Sequence, residues 1–152
     1  MFGGLNLVGS RFYSWYNFVE DLEGIEKFIS ENTFESFLGI GFGGLPLTTK
    51  LKNTFNISTQ VLIASSYNNE ERKKEGNLFI HFTDIELPKG PILIIDDIAD
   101  TGDTLTRVTE YLKGYGIEYK ILTLFYKERS IIKPDYYSHK VSNDIWIKFA
   151  WE

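Results

Sequence analysis

Residues 90–108, GPILIIDDIADTGDTLTRV, constrain the fold more than any other stretch of the chain. Ile92 to Ile95 form an apolar run without alternation, preceded by Gly-Pro, which suits a strand buried on both faces. The run meets two carboxylates, Asp96 and Asp97, then Asp100 and a Thr-Gly-Asp-Thr turn. Beyond Gly102, the residues Leu105, Val108, Tyr111 and Leu112 repeat at helical spacing, with Gly114 and Gly116 placed to end the helix. A strand, an acidic loop and a helix N-terminus in succession are the parts of an anion site. The amides of such a turn point at a phosphate and the helix dipole adds to them, while paired acids can hold Mg2+ or sugar hydroxyls. Neighbouring strand residues point to opposite sides, so Asp96 and Asp97 are expected to do different jobs while the strand stays regular. Asp103 is expected to turn outward in the first helical turn, where the dipole favours negative charge.

The rest of the chain supports an α/β reading. A helical stripe runs through Trp15, Phe18, Val19, Leu22, Ile25, Phe28 and Ile29, with Ser14 as candidate N-cap. Residues 34–40 read as a strand ending in Gly41-Phe42-Gly43-Gly44, and 45–52 as a short helix. Further strands are expected at 60–64, 78–82, 120–126 and 145–147, whereas residues 1–12 show no pattern. Strands alternating with helices imply a mostly parallel, twisted sheet of about five strands covered by helices on both faces. At 152 residues, one domain spanning 1–152 is expected.

Composition removes several classes of function. Net charge is −5 and the longest basic run is Arg72-Lys73-Lys74, so no nucleic-acid surface is expected. No cysteine is present, which excludes disulfides and thiolate chemistry. His81 and His139 lack metal-ligand spacing. No leader or apolar run of membrane-spanning length is visible, so a cytoplasmic protein without a membrane partner is expected. Residues 68–77, NNEERKKEGN, read either as an exposed hairpin tip or as a lid bringing Arg72 or Lys73 over an anion.

An acid pair after an apolar strand also occurs in phospho-accepting receiver domains, but the full string ILIIDDIADTGDTL resembles the phosphoribosyl-pyrophosphate (PRPP) signature of type I phosphoribosyltransferases. SSYNNEER resembles the start of the lid in the xanthine-guanine branch, and TLFYK with NDIWIKFAWE resembles its purine pocket, so the likeness covers most of residues 34–152. The resemblance implies a lid at about 65–80 and a base-binding hood at about 127–152. It implies transfer of phosphoribose from PRPP to a 6-oxopurine (xanthine, guanine or hypoxanthine) in purine salvage, with Mg2+ as cofactor and a homodimer or homotetramer as the assembly. Asp96 and Asp97 would bind the ribose and the metal, and Asp100 would take the imidazole proton. Ala99, Asp100, Thr101, Gly102, Asp103 and Thr104 would hold the 5′-phosphate, and Gly41 to Gly44 the pyrophosphate. Lys127, Trp146 and Ile147 would bind the purine, with Ser66, Tyr67, Arg72 and Lys73 in the lid.

Two departures from the family pattern matter. Phe42 stands where relatives carry an arginine, leaving Mg2+, Lys50, Lys52 or the lid to supply the missing charge. Relatives often have a cis peptide at this place. Lys148 stands where guanine-using relatives tend to carry an acid, and a donor-only side chain would suit the C2 oxygen of xanthine. The alternative to an enzyme is a PRPP- or nucleotide-sensing regulator that binds without turnover.

Overall fold

Eleven elements make up the described part of the computed structural model, which comprises residues 9–67, 77–80, 86–88 and 90–152. In chain order they are β1 (Gly9–Tyr13), α1 (Trp15–Ser30), β2 (Ser36–Gly41), α2 (Leu45–Phe55), β3 (Ser58–Tyr67), β4 (Asn77–Ile80), β5 (Ile92–Ala99), α3 (Asp103–Gly114), β6 (Tyr119–Lys127), β7 (Tyr136–Val141) and β8 (Ile145–Phe149).

Ser14 caps α1 as expected, in a reciprocal box with Asn17 that satisfies two N–H groups: Asn17 N–H donates to Ser14 Oγ at 3.1 Å and Ser14 N–H to Asn17 Oδ1 at 3.0 Å. The buried stripe is narrower than the sequence suggests. Phe18, Leu22, Ile25 and Ile29 face the core, while Trp15 and Val19 remain more than half exposed.

The main sheet has the order β4-β3-β2-β5-β6-β7. Five strands, β2, β3, β5, β6 and β7, run parallel, and β4 adds an antiparallel edge. Helices cover both faces. Phe37, Leu93, Ile95, Leu122 and Leu124 bury one face together with α1 and the α2 residues Leu47 and Leu51. Leu38, Ile40, Ile92, Ile94 and Ile121 bury the other against Leu105, Val108 and Leu112 of α3. Consecutive residues such as Leu93 and Ile94 serve opposite cores, which is why β5 is apolar without alternation.

Strand order reverses at β2, which has β3 on one side and β5 on the other. Ligands of open α/β sheets bind at the carboxyl ends of strands beside such a switch point. The glycine loop after β2 and the acidic segment at the end of β5 both lie there.

A second sheet pairs β1 with β8 in parallel, Gly9 opposite Ile145 and Tyr13 opposite Phe149. No alternation or apolar run marks β1 in the sequence. Tyr13 anchors this sheet to the main body: its buried ring packs edge-on against Phe125 and Phe149, and its hydroxyl donates to Asp21 Oδ2 at 2.6 Å. His139 Nε2 lies 2.8 Å from the same oxygen. No helix among the described residues is long and apolar enough to cross a membrane.

Candidate active site

The acidic segment is strand rather than loop, since β5 continues through both carboxylates to Ala99. Its regular alternation stops at the acids, because Ile95 and Ile98 pack against the same core although three residues apart. Asp96 faces a cavity at the head of α3, whereas Asp97 faces the glycine loop after β2 and a second cavity. Each also accepts from the next backbone amide: Asp97 N–H donates to Asp96 Oδ1 at 2.8 Å, and Ile98 N–H to Asp97 Oδ1 at 2.7 Å. Burial, followed by the charge of Asp97 and a hydrogen bond to it, pushes Asp96 well above the usual carboxylate range. Burial raises Asp97 as well, against the opposing pull of its hydrogen bonds. A cation bound here would favour the ionised form of both carboxylates. Their donor chemistry fits Mg2+, which is commonly held by one or two carboxylates together with water and substrate oxygens. No cluster of three or more acid or imidazole ligands exists among the described residues, so such a metal would depend on the substrate for its remaining ligands.

Beside the acids, Asp96, Ile98, Ala99, Asp100, Thr101, Gly102, Asp103, Thr104 and Leu105 enclose a cavity of about 90 Å³. Gly102 caps α3 in the left-handed conformation (φ 85°) and has no side chain to bond the first turn, where Asp103 N–H makes a long bond of 3.4 Å to Thr101 Oγ1. The amides of Thr104 and Leu105 that follow are placed for an anion. Asp103 is exposed in the first helical turn, as expected.

The loop after β2 closes on the acids from the other side. The Gly41–Phe42 peptide is cis. A Cβ on Gly43 would collide with the Asp97 carboxylate, so a glycine is what lets this loop approach the acid pair. Phe42 points into solvent at 71% exposure and carries no charge into the site. Lys50 and Lys52 sit more than one turn along α2 and are exposed. The lid expectation is largely beyond the described residues: Ser66 and Tyr67 end β3, while Arg72 and Lys73 lie outside them.

Asp97, Ile98, Asp100, Lys127, Trp146, Ile147, Phe149 and Glu152 line a second cavity of about 100 Å³. All three residues expected at the base are thus brought to one place. Lys127 is buried at the end of β6, with its Nζ 3.3 Å from Asp100 Oδ2. Trp146 is more than half exposed, leaving its ring free to cover a ligand, and Ile147 is buried. Lys148 is exposed on β8 between the buried Ile147 and Phe149, and it does not line the cavity.

Two participants escaped the sequence reading. Glu152 enters the cavity wall, and Arg129 Nε donates to Asp100 Oδ1 at 2.6 Å. Spacing along the chain signals neither, since both depend on how separate loops meet.

The phosphoribosyl transferase domain family matches residues 9–152, extending the likeness to β1. The chain is 32% identical over 118 residues to a hypoxanthine-guanine phosphoribosyltransferase of Lactococcus lactis, covering 74% of this chain and 64% of that protein. It is 26% identical over 140 residues to a xanthine-guanine phosphoribosyltransferase of Chromohalobacter salexigens, covering 91% and 82%. A transcriptional regulator, GfcR, of Thermoplasma acidophilum is 30% identical over 115 residues, covering 74% of this chain and 54% of the regulator. Among solved structures, a purine phosphoribosyltransferase from Pyrococcus horikoshii superposes with a TM-score of 0.81 at 26% identity, over 94% of both chains.

Proposed function

Since the chain belongs to the phosphoribosyl transferase domain family, we propose that it transfers the 5-phosphoribosyl group of PRPP to a 6-oxopurine, releasing pyrophosphate. One observation carries this reading. Ile98 and Asp100 line both the anion cavity and the base cavity, so Asp100 stands in the wall between them, where a bond from base to ribose would form.

The phosphate cavity at 99–104 would hold the 5′-phosphate on the amides of α3. Asp96 and Asp97 would bind the ribose hydroxyls and Mg2+; when bound, this ion neutralises the charge of the departing pyrophosphate. The same carboxylates stabilise the positive charge that develops on the sugar. The purine ring N–H gives its proton to Asp100, the nitrogen pair forms the new bond to C1, and pyrophosphate leaves with the electrons of the C1–O bond. Lys127 would donate to the purine O6, Trp146 would stack on the ring, and the Ile147 carbonyl would face the C2 substituent. Glu152, an acceptor in the same wall, suits the exocyclic amine of guanine. Base choice then follows Glu152 rather than Lys148, and guanine is preferred over xanthine. A purine-salvage enzyme of this kind needs no nucleic-acid or membrane partner. The exposed Phe12, Trp15, Tyr16 and Val19 offer a contact for the expected homo-oligomer.

Incubation with Mg2+, PRPP and each base in turn tests the reading through nucleotide formation. Rapid transfer to guanine and hypoxanthine supports it, and a strong xanthine preference removes the role of Glu152. The uncharged Phe42 favours the regulator as second reading; PRPP or nucleotide binding without turnover would establish that instead.

A further inference from the structure

Asp100 is held by two cations at once. Arg129 Nε donates to Oδ1 at 2.6 Å and its Nη2 reaches the same oxygen, while Lys127 Nζ takes Oδ2 at 3.3 Å. We propose that Arg129 is a positioning residue that keeps Asp100 in place while Lys127 is exchanged for the purine. The inference rests on the function proposed above.

The two cations differ in their surroundings. The Lys127 side chain is 4% exposed and lines the base cavity, whereas that of Arg129 is 46% exposed and lies outside the cavity lining. A buried ammonium requires a counter-charge. Asp100 supplies it until a base offers O6, and the move of Lys127 to that oxygen frees Oδ2 on the cavity side. Asp100 projects from just beyond the end of β5, with a third of its side chain exposed. Without a second partner, it would be free to rotate as Lys127 leaves. Arg129 prevents that by holding the other oxygen. A guanidinium also retains its protons, so it cannot compete with the base as proton donor to Asp100.

The backbone fixes the reach of Arg129. Its own N–H donates to Asn143 Oδ1 at 3.1 Å, and Ser130 N–H donates to the Lys127 carbonyl at 2.9 Å. Ile131 N–H donates to the Thr101 carbonyl at 2.9 Å, which ties the loop after β6 to the loop that carries Asp100.

Steady-state kinetics with PRPP, Mg2+ and guanine on Arg129→Gln, Arg129→Lys, Asp100→Asn and the double variant Asp100→Asn/Arg129→Gln provide the test. Arg129→Gln should lower kcat about ten- to a hundredfold, as for loss of one charge-assisted hydrogen bond, with the KM for PRPP and the melting temperature unchanged. Arg129→Lys should recover most of the loss. On the Asp100→Asn background, Arg129→Gln should cost nothing further. Equal losses in both backgrounds, a lysine variant as poor as the glutamine, or a raised KM for PRPP with kcat intact would each overturn the proposal. An active wild type with an equally active Arg129→Gln variant overturns this inference alone, while a wild type that transfers to no base overturns it together with the reading it rests on.

Discussion

Asp97→Asn should stabilise the metal-free protein and abolish transfer. Asp96 is buried with the half-buried Asp97 beside it, and its own burial, followed by the charge of Asp97, lifts it above the usual carboxylate range. An asparagine keeps an oxygen for the Ile98 amide, so that hydrogen bond survives while the repulsion goes. Relieving a crowded buried charge is worth about 1–3 kcal/mol. For a chain of this size, that raises the melting temperature by roughly 2–10 °C. A carboxylate whose folded-state value is raised stabilises the fold at low pH, and this contribution is lost as pH climbs from the ordinary aspartate value of 3.8 through the raised one. The wild type should therefore lose ground to the variant as pH rises, with a small gap at pH 5 and a larger one at pH 8. Scanning calorimetry in a chelator at both pH values reads this directly. Saturating Mg2+ and PRPP should reverse the order, because only the wild type gains binding energy. A variant that melts below the wild type at pH 8 in chelator, or a gap independent of pH, would refute the account of the acid pair.

Two further substitutions probe the loop after β2. Phe42→Arg should lower the KM for PRPP by adding the missing cation beside the acids, and an unchanged or higher value counts against the loop as pyrophosphate site. Gly43→Ala should weaken PRPP binding at least tenfold, equivalent to about 1.4 kcal/mol, because its Cβ must displace the Asp97 carboxylate; titration calorimetry showing unaltered affinity would refute the close approach.

The features legible in the sequence are those built from neighbours along the chain. The strand at Ile92, the acids, the Gly102 turn and α3 form one βα unit, so their order alone carried the anion site. Lys127 and Trp146 were legible only through their resemblance to a known pocket. β1 was missed because its GSRFY sequence has no strand pattern and its partner β8 lies at the far end of the chain. β7 was missed because five of its six residues are half-buried, blurring any alternation on an edge strand. Arg129 and Glu152 were illegible because their partners come from other loops.

The pairing of Gly9 with Ile145 also sets an order of assembly. The phosphate cavity closes within a single βα unit, whereas the wall bearing Trp146 and Ile147 takes its hydrogen-bonded neighbour from the opposite end of the chain. Closing so long a loop carries an entropy cost that a local turn does not. On that ground the cavity at the head of α3 is expected to form before the wall bearing Trp146 and Ile147, and to outlast it in unfolding. Partial denaturation should yield a species that still holds PRPP but no longer selects its acceptor.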